Sequence, residues 1–245
     1  MAIKFITRGT RNLVVFNLYR TFTSVYGLLY ILVGTIFPLI LFWVLITSIG
    51  TLITTSAGST VFVTTVSAMV PLMAAVGGFG VIYFFSTDRS NGVYEYLIAT
   101  RKVSVTDIFM SFSIVTVTVV SLIVGVNVAV IFVLSHFYAS SISFLLLKMF
   151  AVFSVPVAYI SSLISILAML TWSAMSKTYP GVNAPGGIGS VIGVIPPMAF
   201  LLSSRYEHLS NPLVTGGIFS ITLLVIFVIT VVVIVKRISN ERMLS

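Results

Sequence analysis

The chain has no cysteine, which excludes disulfides, iron–sulfur clusters and thiolate metal sites. Its 245 residues include only 5 acidic side chains and 2 histidines. Haem held between two spans needs paired axial ligands at membrane depth. His136 and His208 both fall in polar connections instead. Charged residues make up 7% of the sequence, against ~25% in a soluble domain. A water-soluble fold is therefore excluded, and no connection is long enough to build a separate soluble core. The glycine-rich phosphate loop that closes on Gly-Lys-Ser/Thr is missing, and so is His-Glu-x-x-His. Gly187-x-Gly189 follows no strand, so it is no nucleotide fingerprint. Nucleotide chemistry and proteolysis are not expected of this chain.

What is present is apolar: 58% of residues are hydrophobic and mean hydropathy is +1.19. Six stretches carry no charged side chain: Tyr26–Ile49, Val61–Phe85, Ile108–Leu134, Met149–Ala174, Val182–Leu202 and Leu213–Val235. A run of about 20 such residues crosses ~30 Å of hydrocarbon as a helix. In lipid every backbone polar group must be satisfied internally, so such runs become helices. The first run starts too late and is too long for a cleavable signal peptide. The sequence thus predicts one all-α polytopic membrane domain over 1–245, with six transmembrane helices.

The connections divide by charge. One side holds Lys4, Arg8, Arg11, Arg20, Arg89, Arg101, Lys102, Lys177, Lys236, Arg237 and Arg242; the other holds Lys148 and Arg205. The positive-inside rule makes the first side cytoplasmic, with both termini there and the protein in the cell membrane. The net charge of +8 reads as topology and contact with anionic lipids, and nucleic-acid binding is the weaker reading. Residues 1–24 precede the first span. Lys4, Arg8 and Arg11 recur at helical spacing, which predicts an interfacial helix with Ile3, Ile6, Leu13 and Phe16 toward lipid. The alternative is a solvated tail that only sets topology.

The longest polar connection, 86–106, is predicted to be structured. Val93, Tyr94, Tyr96, Leu97 and Ile98 form a short amphipathic helix, with Ser90 or Asn91 as its N-cap. Ser104-x-x-Asp107 then fits a capping box opening the third span. Pro196-Pro197 predicts a displaced or partly unwound outer half of the fifth span. The piece 203–212 reads as a short external segment, with Asn211-Pro212 opening the last span. Two small-xxx-small pairs, Ala74/Gly78 and Gly189/Gly193, are candidate packing faces, and Asn127 is a candidate interhelical hydrogen bond. With no ionisable group at membrane depth, a proton-driven carrier is disfavoured. A self-contained channel or uniporter and a non-transporting membrane anchor remain open.

Gly92-Val-Tyr-Glu95-Tyr-Leu97-Ile-Ala-Thr100 resembles the G-T-L-E-x-L-L-A-T segment of the permease subunits of ABC-2-type transporters, the type V exporters. Val103-Ser104 and Asp107 continue that pattern, and six spans with a basic lead-in match the family's topology. Two departures stand out. Arg101 occupies the position where the family has proline, and the external piece before Asn211-Pro212 is short for the family's re-entrant helices. The resemblance implies an exporter of an amphipathic or hydrophobic substrate (a lipid, peptide or drug-like compound). It implies a coupling helix that docks a separate ATPase through Asp88, Val93, Tyr94, Glu95, Tyr96, Leu97 and Arg101, with Glu95 pairing a basic residue of that partner. ATP and Mg would belong to two ATPase copies, and a second permease chain would complete the pathway.

Overall fold

The computed structural model describes residues 7–49, 55–100, 102–175, 184–206 and 211–235. Nine α-helices are described: α1 (Arg8–Thr23), α2 (Val25–Ile49), α3 (Ser56–Ser90), α4 (Val93–Ala99), α5 (Val105–Tyr138), α6 (Ser140–Met149), α7 (Val155–Met175), α8 (Ala184–Tyr206) and α9 (Pro212–Val235). A π-helical turn, Phe150–Ser154, joins α6 to α7 without a break. The chain is an all-α, multi-pass membrane protein.

The expectation of six crossings is corrected to five. Among the described residues α2, α3, α5, the α6–α7 rod and α9 have the length and apolarity to cross a membrane. Among the described residues α8 contributes a shorter apolar helix, Gly189–Ser203. Glycine and proline occupy positions that larger apolar side chains fill in the other rods. Counting spans therefore no longer assigns both termini to one side.

Pro196 and Pro197 do not unwind α8, which stays helical through them. Each proline removes one backbone donor, but both rings are buried where α8 packs on α3 and α7. Neighbouring helices make such prolines tolerable in membrane helices. Gly189 and Gly193 lie against α7: a Cβ at Gly189 would stand 2.8 Å from the Ser165 carbonyl oxygen, and one at Gly193 would collide with Ser165 Oγ. At the far end Phe200 stacks on Phe153 at 3.9 Å, so α8 runs antiparallel to α7.

Of the other predicted pair, Ala74 is buried, but a Cβ at Gly78 would make only ordinary contacts, 3.8 Å from Thr116 and 3.9 Å from Ser162. The close approach belongs to its neighbour. A Cβ on Gly77 would strike Ile123, and one on Gly34 would lie 2.9 Å from the Met73 carbonyl oxygen and 3.2 Å from the Gly77 Cα. Toward α3 it is Gly34 that meets backbone and has no room for a side chain, whereas Gly77 faces the tip of the Ile123 side chain of α5. Asn127 of α5 closes the same junction, its Nδ2 donating to the Gly34 carbonyl at 3.1 Å and to the Ile123 carbonyl at 2.9 Å. Asn127→Ala is expected to cost about 0.6–2 kcal/mol, the range for interhelical polar contacts in bilayers. Unfolding by a graded detergent mixture reads this directly, and an unchanged midpoint would remove the clamp from the account.

The rods α3 and α5 have 35 and 34 residues, ~50 Å each, well beyond the hydrocarbon thickness. The end of α3 and the start of α5 lie beside α1 and α4. That junction positions the candidate site.

Candidate functional site

The short element α4 is positioned by its two borders. Gly92 takes φ +72°, a left-handed conformation that costs glycine little, and lets α3 turn directly into α4. Its backbone N–H donates to the Arg89 carbonyl at 3.0 Å, and its own carbonyl accepts from Tyr96 N at 3.1 Å. The N-cap is therefore Gly92 with no side-chain cap, a correction to Ser90 or Asn91: Ser90 is the last residue of α3, and Asn91 caps α3 from behind. The exit is fixed by the capping box. Asp107 N donates to Ser104 Oγ at 3.2 Å, and Ser104 N donates to Asp107 Oδ2 at 2.9 Å.

Tyr94 and Ile98, one turn apart, form the inner face of α4. The Tyr94 ring stacks on Phe85 at 5.1 Å and meets Phe112 edge-on at 6.0 Å. Its hydroxyl donates to Asp88 Oδ2 at 3.1 Å. Burial, with the Asp88 carboxylate alongside, holds the Tyr94 phenol well above its ordinary value, so it stays a neutral donor. Asp88 Oδ1 receives Arg20 Nη1 at 2.6 Å, and the Arg20 guanidinium lies 4.5 Å above the Phe84 ring. One carboxylate thus ties α1, α3 and α4 together. Glu95 is held by Arg89 of α3 in a second ion pair.

Asp107 is the third tie. Its Oδ1 accepts from Thr7 Oγ1 and, at 2.6 Å, from Thr10 Oγ1 of α1, while its Oδ2 also takes the Ser104 hydroxyl at 2.7 Å. Asp88, Glu95 and Asp107 are the acidic residues among those described, and each one joins separate elements at this end.

The inner face of α1 mixes polar side chains with Leu13, Val14 and Leu18, which pack on the core. Thr10, Asn17 and Thr21 face the bundle and are buried. Val15, Phe16, Tyr19 and Phe22 face outward, with Tyr19 70% exposed. Arg8 and Arg11 are exposed at its start. The outer stripe therefore changes from basic to apolar along the helix, as expected of one descending from headgroups into hydrocarbon. Phe16 takes the outward place predicted for it, whereas Leu13 packs inward against the core. Lys4, Ile3 and Ile6 lie outside the described residues.

The residues expected to dock a partner divide into two sets. Val93 and Tyr96 stand outward, 40% and 63% exposed. Asp88 and Tyr94 are buried, and Leu97 is half-buried against the core. Glu95, expected to pair with a basic residue of a partner, is engaged by Arg89 within this chain. Arg101 lies outside the described residues. Sequence reasoning missed Arg20, Thr10 and Asn17 as members of this end. Arg20 registered only as a topology charge, although Asp88 is the complementary charge at the matching end of the next span. Between α1, the end of α3 and α4 lies a cavity of about 370 Å³, bordered by Lys102.

Comparisons with family models, curated proteins and solved structures find no match to this chain.

Proposed function

We propose that this chain is the transmembrane permease subunit of an ATP-driven exporter, with α4 as the helix on which a separate ATPase docks. The observation that carries the reading is the α4 platform. A seven-residue helix is anchored on its inner face by Tyr94 and flanked by the Arg20–Asp88 and Arg89–Glu95 ion pairs. Its outer face presents Val93 and Tyr96. An element so held transmits a push into α3 and α5 rather than absorbing it, which rigid-body switching requires. Exposed aromatic side chains are also frequent anchors of protein interfaces.

On this reading the basic end is cytoplasmic. Arg8, Arg11, Arg20, Arg89 and Lys102 lie there, against Lys148 at the other end of the described helices, in keeping with the positive-inside rule. ATP and Mg belong to the two ATPase copies, and a second permease chain, identical or not, completes the pathway. The substrate is amphipathic or hydrophobic, because the long uncharged stretches within the spans offer no charge to recognise an ionic one.

The test is co-purification from native membranes. An ATPase should accompany the wild-type chain. Tyr96→Ala should weaken that association by about 2 kcal/mol, the size of an interface anchor, and Val93→Ser by less. Both side chains are exposed, so folding should survive. Undiminished association in the double variant would remove α4 as the docking element. Substrate flux from the purified chain alone would favour the channel reading.

A further inference from the structure

We propose that the cavity between α1 and α4 is a binding site for one anionic glycerophospholipid, seated with its headgroup at Lys102 and its glycerol region against Asn17. Three independent features converge there. The lining is mainly apolar, with Leu13, Phe16, Leu97 and Val103 among the residues that form it, and its one carboxylate, Asp88, is already neutralised by Arg20. Asn17 also lines it and is 1% exposed, and its carboxamide oxygen is buried with no donor. Asn17 Nδ2 has a single weak outlet, the Ser111 hydroxyl at 3.4 Å. At the border stands Lys102, exposed, its ammonium 5.9 Å from the Tyr96 ring centroid. Arg8 and Arg11 add positive charge along the same helix.

Chemistry narrows the occupant. Water alone could satisfy Asn17 but would wet an apolar wall. A wholly apolar guest would leave the Asn17 oxygen unpaired, at a cost of about 1–3 kcal/mol. A ligand with an apolar stem, a hydroxyl donor and an anionic group meets all three features. The depth fits as well, because the outer stripe of α1 turns from basic to apolar beside this cavity. A Cβ at Gly9 would lie 3.3 Å from the Lys102 carbonyl oxygen, so α1 and the 102–103 segment touch closely at this border. A lipid here would bridge the interfacial helix to α4 and make the position of α4 sensitive to leaflet composition.

This inference does not depend on the exporter reading, and its test contains no ATPase. The detergent-purified chain is titrated with phosphatidylglycerol and, separately, with phosphatidylcholine, and retained lipid is counted by native mass spectrometry. One phosphatidylglycerol should be retained in preference by about fivefold, as expected for one lysine at an anionic headgroup. Lys102→Gln should erase the preference, and Leu97→Trp, which intrudes on the cavity, should weaken retention of the lipid. Lys148→Gln, at the other end of the bundle, should change nothing. Equal retention of both lipids, or a preference that survives Lys102→Gln, would overturn the site. Equal loss in Lys148→Gln would reduce it to diffuse surface charge. Displacement by soluble glycerol phosphate would make the ligand a free anion and not a lipid.

Discussion

Gly27→Ala is expected to lift α1 away from the bundle. Ser24 has extended backbone, φ −84° and ψ 147°, and separates α1 from α2. The chain then turns so sharply that a Cβ at Gly27 would collide with the Thr21 carbonyl oxygen and lie 2.9 Å from the Thr21 Cα. Those atoms are backbone and cannot rotate away. On its other side Gly27 faces α3, where a Cβ built on Gly80 would come 3.5 Å from the Gly27 Cα. Ser24 Oγ accepts from Gly27 N at 3.0 Å and fixes the bend. One added methyl must open the elbow, at about 1–3 kcal/mol if the cost resembles that of overpacked cores. The Arg20–Asp88 ion pair and the Thr10–Asp107 hydrogen bond should loosen together. Faster trypsin cleavage at Arg20 and a lower detergent unfolding midpoint would report the change. If cleavage and midpoint both match the wild type, the elbow does not hold α1 in place.

Asp107→Ala should be costlier still. The carboxylate accepts from Thr7, Thr10 and both the amide and hydroxyl of Ser104. Losing a helix cap costs ~1 kcal/mol, and hydrogen bonds to a charged group contribute ~1.5–3 kcal/mol. The sum is about 2.5–4 kcal/mol if the buried threonine hydroxyls find no new partner. Hydrogen exchange should rise first at the start of α5 and the start of α1, which are far apart in sequence but share this one acceptor. Protection lost at only one of the two would disconnect them. Ser104→Ala should remove the cap alone and leave the α1 contacts intact.

The long rods, the short helix over 93–99 and the Ser104–Asp107 box were all legible in the sequence. Each rests on residues within a turn or two of one another. The partners of the charged residues were not. Asp88 and Glu95 read as residues that meet a partner, and only the fold brings Arg20, 68 residues away, to Asp88. The extent of α6 was hidden for a related reason. Ser140, Ser141, Ser143 and Lys148 read as a polar connection, yet they sit on a helix whose inner face is Ile142, Leu146 and Met149. Pro196-Pro197 shows packing overriding propensity. The glycine pair Gly77-Gly78 shows a finer limit. Small residues are visible in a sequence, but which of two neighbours meets the next helix depends on a rotation of ~100° per residue, and only the packed structure supplies it.

The π turn at Phe150–Ser154 has a consequence for inheritance as much as for shape. Such a turn accommodates one surplus residue within an otherwise α-helical rod. Here it lies where Ser154 Oγ donates to the Ser67 carbonyl at 2.6 Å, while Ser161 and Ser165 further along meet Gly193. Loss of a single codon between this turn and Ser161 would turn the rest of α7 by ~100°, carrying Ser161 and Ser165 out from under α8 without altering either, whereas loss of one within the turn would only restore plain α-helix. The seam between the two helices is thus encoded by chain length as well as by side chains. Single-residue deletions just after the turn should be far less tolerated than deletions within it.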